Sequence, residues 1–279
     1  MESVAAPTAD QIFHWTPMTQ ILALTVFMVV VMTLLWLWQV KTNDASVVDV
    51  VWSAGVGLAA VFFAATGPGD DLRRIVLALV GGFWGARLAS YLLVNRVIGK
   101  HEDGRYQNLR ARWGAAAHRN FFFFFQFQAG LVVAFGLPAL AVAANPAQGL
   151  LWTDWLGIGV AILSIAGESI SDRQLARFRG NPANRGRTCR EGFWRYSRHP
   201  NYFFEWLHWF AYVLLGLSSP LWFLTLGGPV MMYVFLMKVT GIPHTEAQAI
   251  KSRGDDYRQY QATTSMFIPW FPKKQENSP

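Results

Sequence analysis

The sequence has few charged residues, a single cysteine and none of the common nucleotide-binding or hydrolase signatures. Charged side chains make up 15% of its 279 residues, which is too few to cover the surface of a soluble fold of this length. Cys189 alone can form neither an intramolecular disulfide nor a cysteine-based metal cluster. GxGxxG after a strand, GxxxxGKS or GxxxxGKT, GxSxG and HExxH are all missing. We therefore predict no Rossmann, P-loop, serine hydrolase or metal site.

Long apolar runs dominate what is present. Apolar residues make up 53% of the chain, and runs of about 20 such residues are long enough to cross a bilayer. The pattern predicts an all-α polytopic membrane protein with seven transmembrane helices in one domain, residues 1–279. Residues 1–16 are predicted to be a flexible lead and 241–279 a cytoplasmic tail. The predicted spans are 17–39, 47–66, 74–94, 120–144, 150–171, 201–218 and 220–240.

The basic residues indicate the orientation. They concentrate in 95–119, 172–200 and the tail, which seven spans place on one side, so the C-terminus is predicted to be cytoplasmic. Arg73 and Arg74 depart from this pattern, because they fall on the predicted outer side. The net charge of +7 is explained by this topology, so we expect no nucleic acid partner and a lipid bilayer around the spans.

One basic stretch directly precedes an apolar run. Residues 187–205, RTCREGFWRYSRHPNYFFE, bring several hydrogen-bonding side chains to the start of a span. Such groups are costly there unless they find partners, and arginine suits phosphate because its planar fork donates two parallel bonds. We therefore expect a nucleotide cofactor at Arg198, His199, Asn201, Tyr202 and Glu205. The alternative is that the arginines only anchor a loop at the membrane surface.

Further polar residues lie near span ends. Asp172 and Arg179 bracket DRQLARFR, an expected extension of the fifth span, and could either bind cofactor or form a salt-bridge network at the helix end. The tail residues Glu246, Lys251, Arg253 and Tyr257 could fold over the pocket or form an interfacial amphipathic helix.

The second and third spans carry ionisable residues of their own. Asp49, Arg87 and Tyr91 lie within or near these spans, and an ionisable residue there is a functional hypothesis by default. The alternative is that Asp49 and Arg87 simply pair.

Four segments carry a family resemblance: GFWRYSRHPNYFFEWLHW, NRVIGKHEDGRYQNLRARWG, SDRQLARFR and TEAQAIKSRGDDYRQYQATTSMFIPWFP. Together they resemble the steroid 5α-reductase superfamily, in particular its bacterial membrane members, over about residues 45–272. RHPNY with a downstream glutamate also occurs in isoprenylcysteine methyltransferase-like proteins and sterol reductases. The resemblance implies an integral protein of the bacterial inner membrane.

The resemblance also implies an activity. It implies an NADPH-dependent reductase that saturates the Δ4 double bond of a hydrophobic 3-oxo-steroid or related enone. Hydride would add to the β-carbon and a proton to the α-carbon, while an acid near the carbonyl stabilises the enolate oxygen. The alternatives are an S-adenosylmethionine-dependent methyltransferase and a lipid-binding or transport protein without chemistry.

Site residues follow from matching the family motifs. The cofactor residues so implied are Asn95, Asp172, Arg179, Asn201 and Glu205, with Arg198, His199, Tyr202, Lys251, Arg253 and Tyr257 as further matches. The family polarises the substrate carbonyl with an acid in the second span and a tyrosine in the third. Asp49 matches the acid, and we expect burial to keep it protonated. An ungapped match places Trp84 at the tyrosine position and Tyr91 at a second family tyrosine, so the carbonyl contact is left open among Asp49, Tyr91 and Trp84.

Overall fold

The computed structural model describes residues 15–239 and 241–273, and most of these residues are helical. A π-helical turn, Leu93–Val97, continues the third helix, and a second one, Phe235–Val239, follows the eighth. The predicted lead falls almost wholly outside the described residues. In chain order the ten α-helices of the described part are α1 Pro17–Thr42, α2 Val47–Thr66, α3 Asp71–Leu92, α4 Gly104–Trp113, α5 Ala117–Ala143, α6 Trp152–Gly180, α7 Pro200–Gly216, α8 Gly227–Val234, α9 Ile242–Arg253 and α10 Asp255–Thr263.

Within the described residues, six helical stretches are long and apolar enough to cross a membrane. The first five predicted spans correspond to α1, α2, α3, α5 and α6 and run past the helix limits by at most two residues, and α6 continues through the expected extension to Gly180. Seven spanning helices are not confirmed. The predicted sixth span is α7, whose 17 residues extend about 26 Å, slightly less than the roughly 30 Å of a bilayer core. The sixth stretch, Trp222–Arg253, covers most of the predicted seventh span, although a 3₁₀ turn, Trp222–Leu226, precedes the short α8 within it.

Local sequence explains several helix starts. Thr16 accepts a hydrogen bond from the backbone N–H of Thr19, and Pro17 occupies the first helical position of α1, where its missing N–H costs nothing. At α3, the carboxylate of Asp70 accepts from the backbone N–H of Arg73. These capping hydrogen bonds give partners to backbone N–H groups of the first turn that have none within the helix.

The chain forms two compact units. The first unit comprises the described part of 1–154 together with 215–227, and the second comprises 155–214 with the described part of 228–279. The expectation of a single domain over 1–279 stays a prediction.

In the first unit, two glycines allow α2 and α3 to touch backbone to backbone. A Cβ added to Gly85 would lie 2.6 Å from the Cα of Gly57, and one added to Gly57 would lie 2.9 Å from the Cα of Gly85. Small residues that permit such close approach are the usual basis of helix association in membranes, where lipid is as apolar as leucine.

A buried ion pair fixes the other end of α3. The side chain of Arg73 is 0% exposed and donates to Asp154 through Nε at 3.0 Å and Nη2 at 2.7 Å. Its remaining donors reach the carbonyls of Ala147 at 2.6 Å and Gly149 at 2.7 Å. Arg74 pairs with Asp71 at 3.0 Å. Both arginines are thus neutralised locally, which explains why they depart from the charge pattern of the other loops.

In the second unit, the chain after α10 lies along the segment that precedes α7. Ser197 donates through Oγ to the carbonyl of Phe267 at 2.8 Å, and the backbone N–H of Trp270 donates to Tyr196 at 2.9 Å. The ring of Phe267 packs against Trp206 of α7 at 5.6 Å between centroids. We call residues 265–273 the C-terminal strap.

The glycine contact yields a stability prediction. Gly85→Ala should lower the free energy of unfolding by about 1–3 kcal/mol, because its Cβ has backbone rather than a mobile side chain to displace. Unfolding of the purified protein in detergent measures this. The control is Gly130→Ala on α5, where an added Cβ meets nothing within 4 Å. Equal stability of the two variants would contradict the proposed close packing.

Candidate functional site

The arginine of the RHPNY segment is held inside the second unit. The guanidinium of Arg198 donates through Nε to Oε1 of Glu246 at 2.7 Å. Its Nη1 donates to the carbonyls of Gln261 at 3.1 Å and Thr264 at 2.7 Å. Arg198 therefore ties the start of α7 to α9 and to the end of α10. These contacts fit the alternative in which Arg198 anchors a loop. The groups that it binds, however, belong to the protein and not to the membrane surface.

Glu246 collects further donors. Oε1 also lies 3.2 Å from Nε2 of His199 and accepts from the hydroxyl of Tyr257 at 3.3 Å, while Oε2 accepts from Nε2 of Gln261 at 2.7 Å. Burial lowers the pKa of His199 below its usual value, against the opposing effect of Glu246. Burial likewise raises the pKa of Tyr257. Both side chains therefore serve this network in their neutral forms at neutral pH.

The side-chain amide of Asn201, in the RHPNY segment, faces the buried carboxylate of Asp172 on α6. Nδ2 of Asn201 donates to Oδ1 of Asp172 at 3.3 Å. Asp172 is buried, and Asn201 and Glu205 are half-buried one helical turn apart on α7. The ring of Tyr202 stacks on His199 at 5.5 Å between centroids, and its hydroxyl lies 3.3 Å from Oγ1 of Thr245. Of the residues that the sequence nominated, Asp172 and Asn201 thus meet each other, and Tyr202 contacts His199 of the Glu246 network.

An arginine-lined cavity of about 260 Å³ lies at the end of α6. Four arginines line it: Arg179 from α6, Arg185 and Arg187 from the following loop, and Arg253 from α9. Cys189, Asn184 and Ser252 complete its polar lining, and Leu175 and Phe178 its apolar wall. Burial raises the pKa of the Cys189 thiol, so the sulfur adds no negative charge to the cavity.

The cavity suits an anion. No described carboxylate lies within ion-pair distance of any of its four arginines, whereas Arg190, nearby in sequence, pairs with Asp256 at 3.0 Å. Arg253 places its guanidinium over the ring of Tyr257, 4.9 Å from the centroid. Guanidinium groups without a carboxylate partner fit phosphate oxygens well. The volume suits part of a dinucleotide and not the whole of it.

Sequence reasoning identified two of the four cavity arginines. Arg179 and Arg253 were nominated from family motifs, Arg187 was noted only as part of the basic stretch, and Arg185 was overlooked. The sequence feature that could have identified Arg185 and Arg187 is the high density of arginines in 179–190. The local sequence does not show which of these arginines lie together. Lys251, which was also nominated, is exposed on α9 and does not line the cavity.

In the first unit, Asp49 belongs to a polar cluster with the start of α4. Oδ2 of Asp49 accepts from Nη2 of Arg105 at 2.6 Å, and Oδ1 accepts from the hydroxyl of Tyr106 at 2.6 Å. Both carboxylate oxygens are acceptors here, so the expectation that Asp49 is a protonated donor does not fit the geometry. Arg105 also binds Asp103, through Nε at 3.0 Å and Nη2 at 2.9 Å. Beside Arg105, hydrogen bonding overcomes burial and lowers the pKa of Asp103.

The other nominated residues of the first unit lie along α3. Tyr91 is half-buried, with the guanidinium of Arg87 6.0 Å from its ring centroid. Asn95 lies in the exposed π-helical turn that follows, and its Nδ2 donates to the carbonyl of Tyr91 at 2.8 Å. Trp84 is fully buried. π-helical turns often accompany functional sites. Whether Asp49, Tyr91 or Trp84 meets a substrate stays a prediction.

Comparison with known proteins identifies a family. The sequence profile described as "Protein of unknown function (DUF1295)" matches residues 35–264. The chain belongs to the DUF1295 family, which is steroid 5α-reductase-like. Neither the curated proteins nor the solved structures contain a match.

The DUF1295 match spans both polar sites. It includes Asp49, Arg105 and Tyr106 in the first unit, and the arginine-lined cavity and Glu246 in the second. It ends at Thr264, so the C-terminal strap lies beyond it.

The Glu246 network predicts a large stability effect. Glu246→Ala should lower the free energy of unfolding by about 3 kcal/mol, because it leaves the largely buried Arg198 without its carboxylate. Denaturant unfolding in detergent measures the loss. Asp255→Ala removes the carboxylate of an exposed pair with Arg258 and should leave stability unchanged. Similar losses in both variants would refute the special role of Glu246.

Proposed function

We propose that this protein is an NADPH-dependent reductase of the Δ4 double bond of 3-oxo-steroids or related enones. The observation that carries the proposal is the arginine-lined cavity on the second unit, in which four guanidinium groups have no described carboxylate partner. Phosphate is the chemical group that such a set binds best. S-adenosylmethionine has no phosphate, so the cavity favours the dinucleotide over the methyl donor.

The nominated residues divide into two roles toward the cofactor. Arg179 and Arg253 would hold phosphate, together with Arg185 and Arg187, while Asn201 and Glu205 would bind an amide or ribose group. Asp172 and Arg179 are seven residues apart and share one face of α6, about 10 Å apart along its axis. This arrangement along α6 suits a dinucleotide whose phosphate lies in the cavity beside Arg179 and whose reactive end lies toward Asn201. Arg198, His199 and Tyr257 are assigned to positioning α7 through Glu246.

The cofactor, when bound, supplies the hydride. The chain must then stabilise the negative charge that develops on the substrate oxygen, which is usually the largest catalytic contribution. We assign this to Arg105, whose Nη1 donates to no described residue and whose side chain is partly accessible. Asp49 and Asp103 orient that guanidinium. Apolar spans would hold the steroid-like substrate and exclude water.

A seven-span topology belongs to the same proposal. The six apolar helices support an integral membrane protein. Adding α7, which is only slightly shorter than a bilayer core, gives the odd number that places the C-terminus in the cytoplasm. The basic cavity then faces the cytoplasm, where NADPH is made, and the bilayer is the bacterial inner membrane.

Ligand binding tests the cofactor assignment. NADPH at a hundredfold excess over its Kd should stabilise the protein by about 2.7 kcal/mol, and S-adenosylmethionine should not stabilise it. Arg179→Ala and Arg253→Ala should each weaken NADPH binding about tenfold or more, since a charge-assisted bond is lost. Thermal unfolding over a ligand series measures this.

The matched control is Arg177→Ala, an exposed arginine on the same helix that does not line the cavity. Stabilisation by S-adenosylmethionine alone would favour the methyltransferase, and stabilisation by neither would refute the cofactor assignment.

Turnover tests the role of Arg105. With NADPH and a panel of 3-oxo-Δ4-steroids, Arg105→Lys should lower kcat about a hundredfold and leave the KM for NADPH unchanged, because the lysine cannot reproduce the fork that faces the oxygen. Loss of NADPH absorbance measures the rate. Arg112→Lys, at an exposed position of α4, is the control. Equal kcat values in the two variants would remove Arg105 from the mechanism.

A further inference from the structure

Two helices of the second unit carry polar side chains at one-turn spacing along buried faces. On α7 the spacing is four, three and four residues, which keeps such side chains on one face. The phosphate cavity and the Glu246 network leave most of these side chains without a role. We call the set the polar stripe: Ser164, Glu168 and Asp172 on α6, with Asn201, Glu205, His208 and Tyr212 on α7.

The two halves of the polar stripe meet at both ends. At one end Asn201 lies 3.3 Å from Asp172, and at the other Nδ1 of His208 lies 3.4 Å from Oγ of Ser164. Eight residues of α6 separate these contacts, about 12 Å along the axis. Glu168 lies midway on α6 and is buried.

At the end of the polar stripe where His208 meets Ser164, hydrogen bonding selects one tautomer of His208. Oγ of Ser164 donates to the carbonyl of Ala161 at 2.9 Å, so toward His208 it acts as an acceptor and Nδ1 carries the hydrogen. Nε2 then presents its lone pair, 3.4 Å from the hydroxyl of Tyr212. The imidazole is 0% exposed. It is therefore ready to accept a proton at Nε2 and to pass it on.

The polar stripe places acidic and histidine side chains inside an apolar part of the second unit. Apolar side chains would fill the interface between α6 and α7 without the cost of burying carboxyl and imidazole groups. Chains of acidic and histidine side chains inside a membrane protein are the usual construction of proton paths.

We propose that the polar stripe carries protons from the Asp172 end to His208. This rests on the proposed function, in which each reduction adds one hydride to the β-carbon and one proton to the α-carbon of the enone. Glu168 first gives a proton to Nε2 of His208, and the resulting imidazolium passes a proton through the Tyr212 hydroxyl to the α-carbon, which returns His208 to its Nδ1–H form. Water at the Asp172 end then reprotonates Glu168. His208 acts here as a relay.

The test is His208→Gln, which keeps hydrogen-bonding capacity but has no basic nitrogen. Steady-state reduction of a 3-oxo-Δ4-steroid by NADPH is followed in H₂O and D₂O. We expect kcat to fall about tenfold or more, the KM for NADPH to stay constant, and the solvent isotope effect on kcat to rise because proton delivery becomes limiting. His118→Gln, at an exposed position of α5, should match the unaltered protein.

Each outcome decides the proposal. An unchanged kcat, or a lower kcat without a larger isotope effect, overturns the relay while turnover by the unaltered protein upholds the proposed function. Absence of enone-dependent NADPH oxidation by the unaltered protein overturns both. Should His208→Gln fail to fold, Tyr212→Phe must show a raised isotope effect for the relay to stand.

Discussion

The second unit depends on the carboxylate of Glu246. It receives donors from Arg198, His199, Tyr257 and Gln261, and so joins the start of α7 to α9 and α10. A buried charge is tolerated only when its hydrogen bonds are satisfied, and this one has four. Arg253, at the end of α9, lines the phosphate cavity and stacks on Tyr257. The interaction that holds the unit together therefore also positions one of the cavity's arginines.

The same constraint acts in the first unit. A guanidinium within an apolar bundle needs acceptors for its donors, and Arg73 finds them in Asp154 and two carbonyls. Arg105 differs, because Asp49 and Asp103 occupy only part of its donor set. A buried guanidinium whose donors all have acceptors, such as that of Arg73, favours a structural role. A partly exposed guanidinium with an unused donor, such as that of Arg105, favours contact with substrate.

The helices were predictable because a bilayer leaves the backbone little choice. Peptide groups inside lipid must be satisfied within the segment, so a long apolar run becomes a helix. The span predicted at 47–66 has the same limits as α2. The region after α7 was predicted less well, because Trp222–Leu226 and Phe235–Val239 depart from α-helical geometry while remaining apolar. Hydropathy does not register such departures, since they change hydrogen-bond spacing and not composition.

The amino-acid sequence by itself determined the membrane class, most span positions and the kinds of polar residue that a site must contain. Only the tertiary structure decided which of them meet. Arg198 and Arg185 are both arginines beside an apolar span, yet one is bound by Glu246 and the other lines the cavity. The partner of Arg198 lies 48 residues further along the chain. Pairing over such distances depends on how the helices pack, and local composition does not specify that packing.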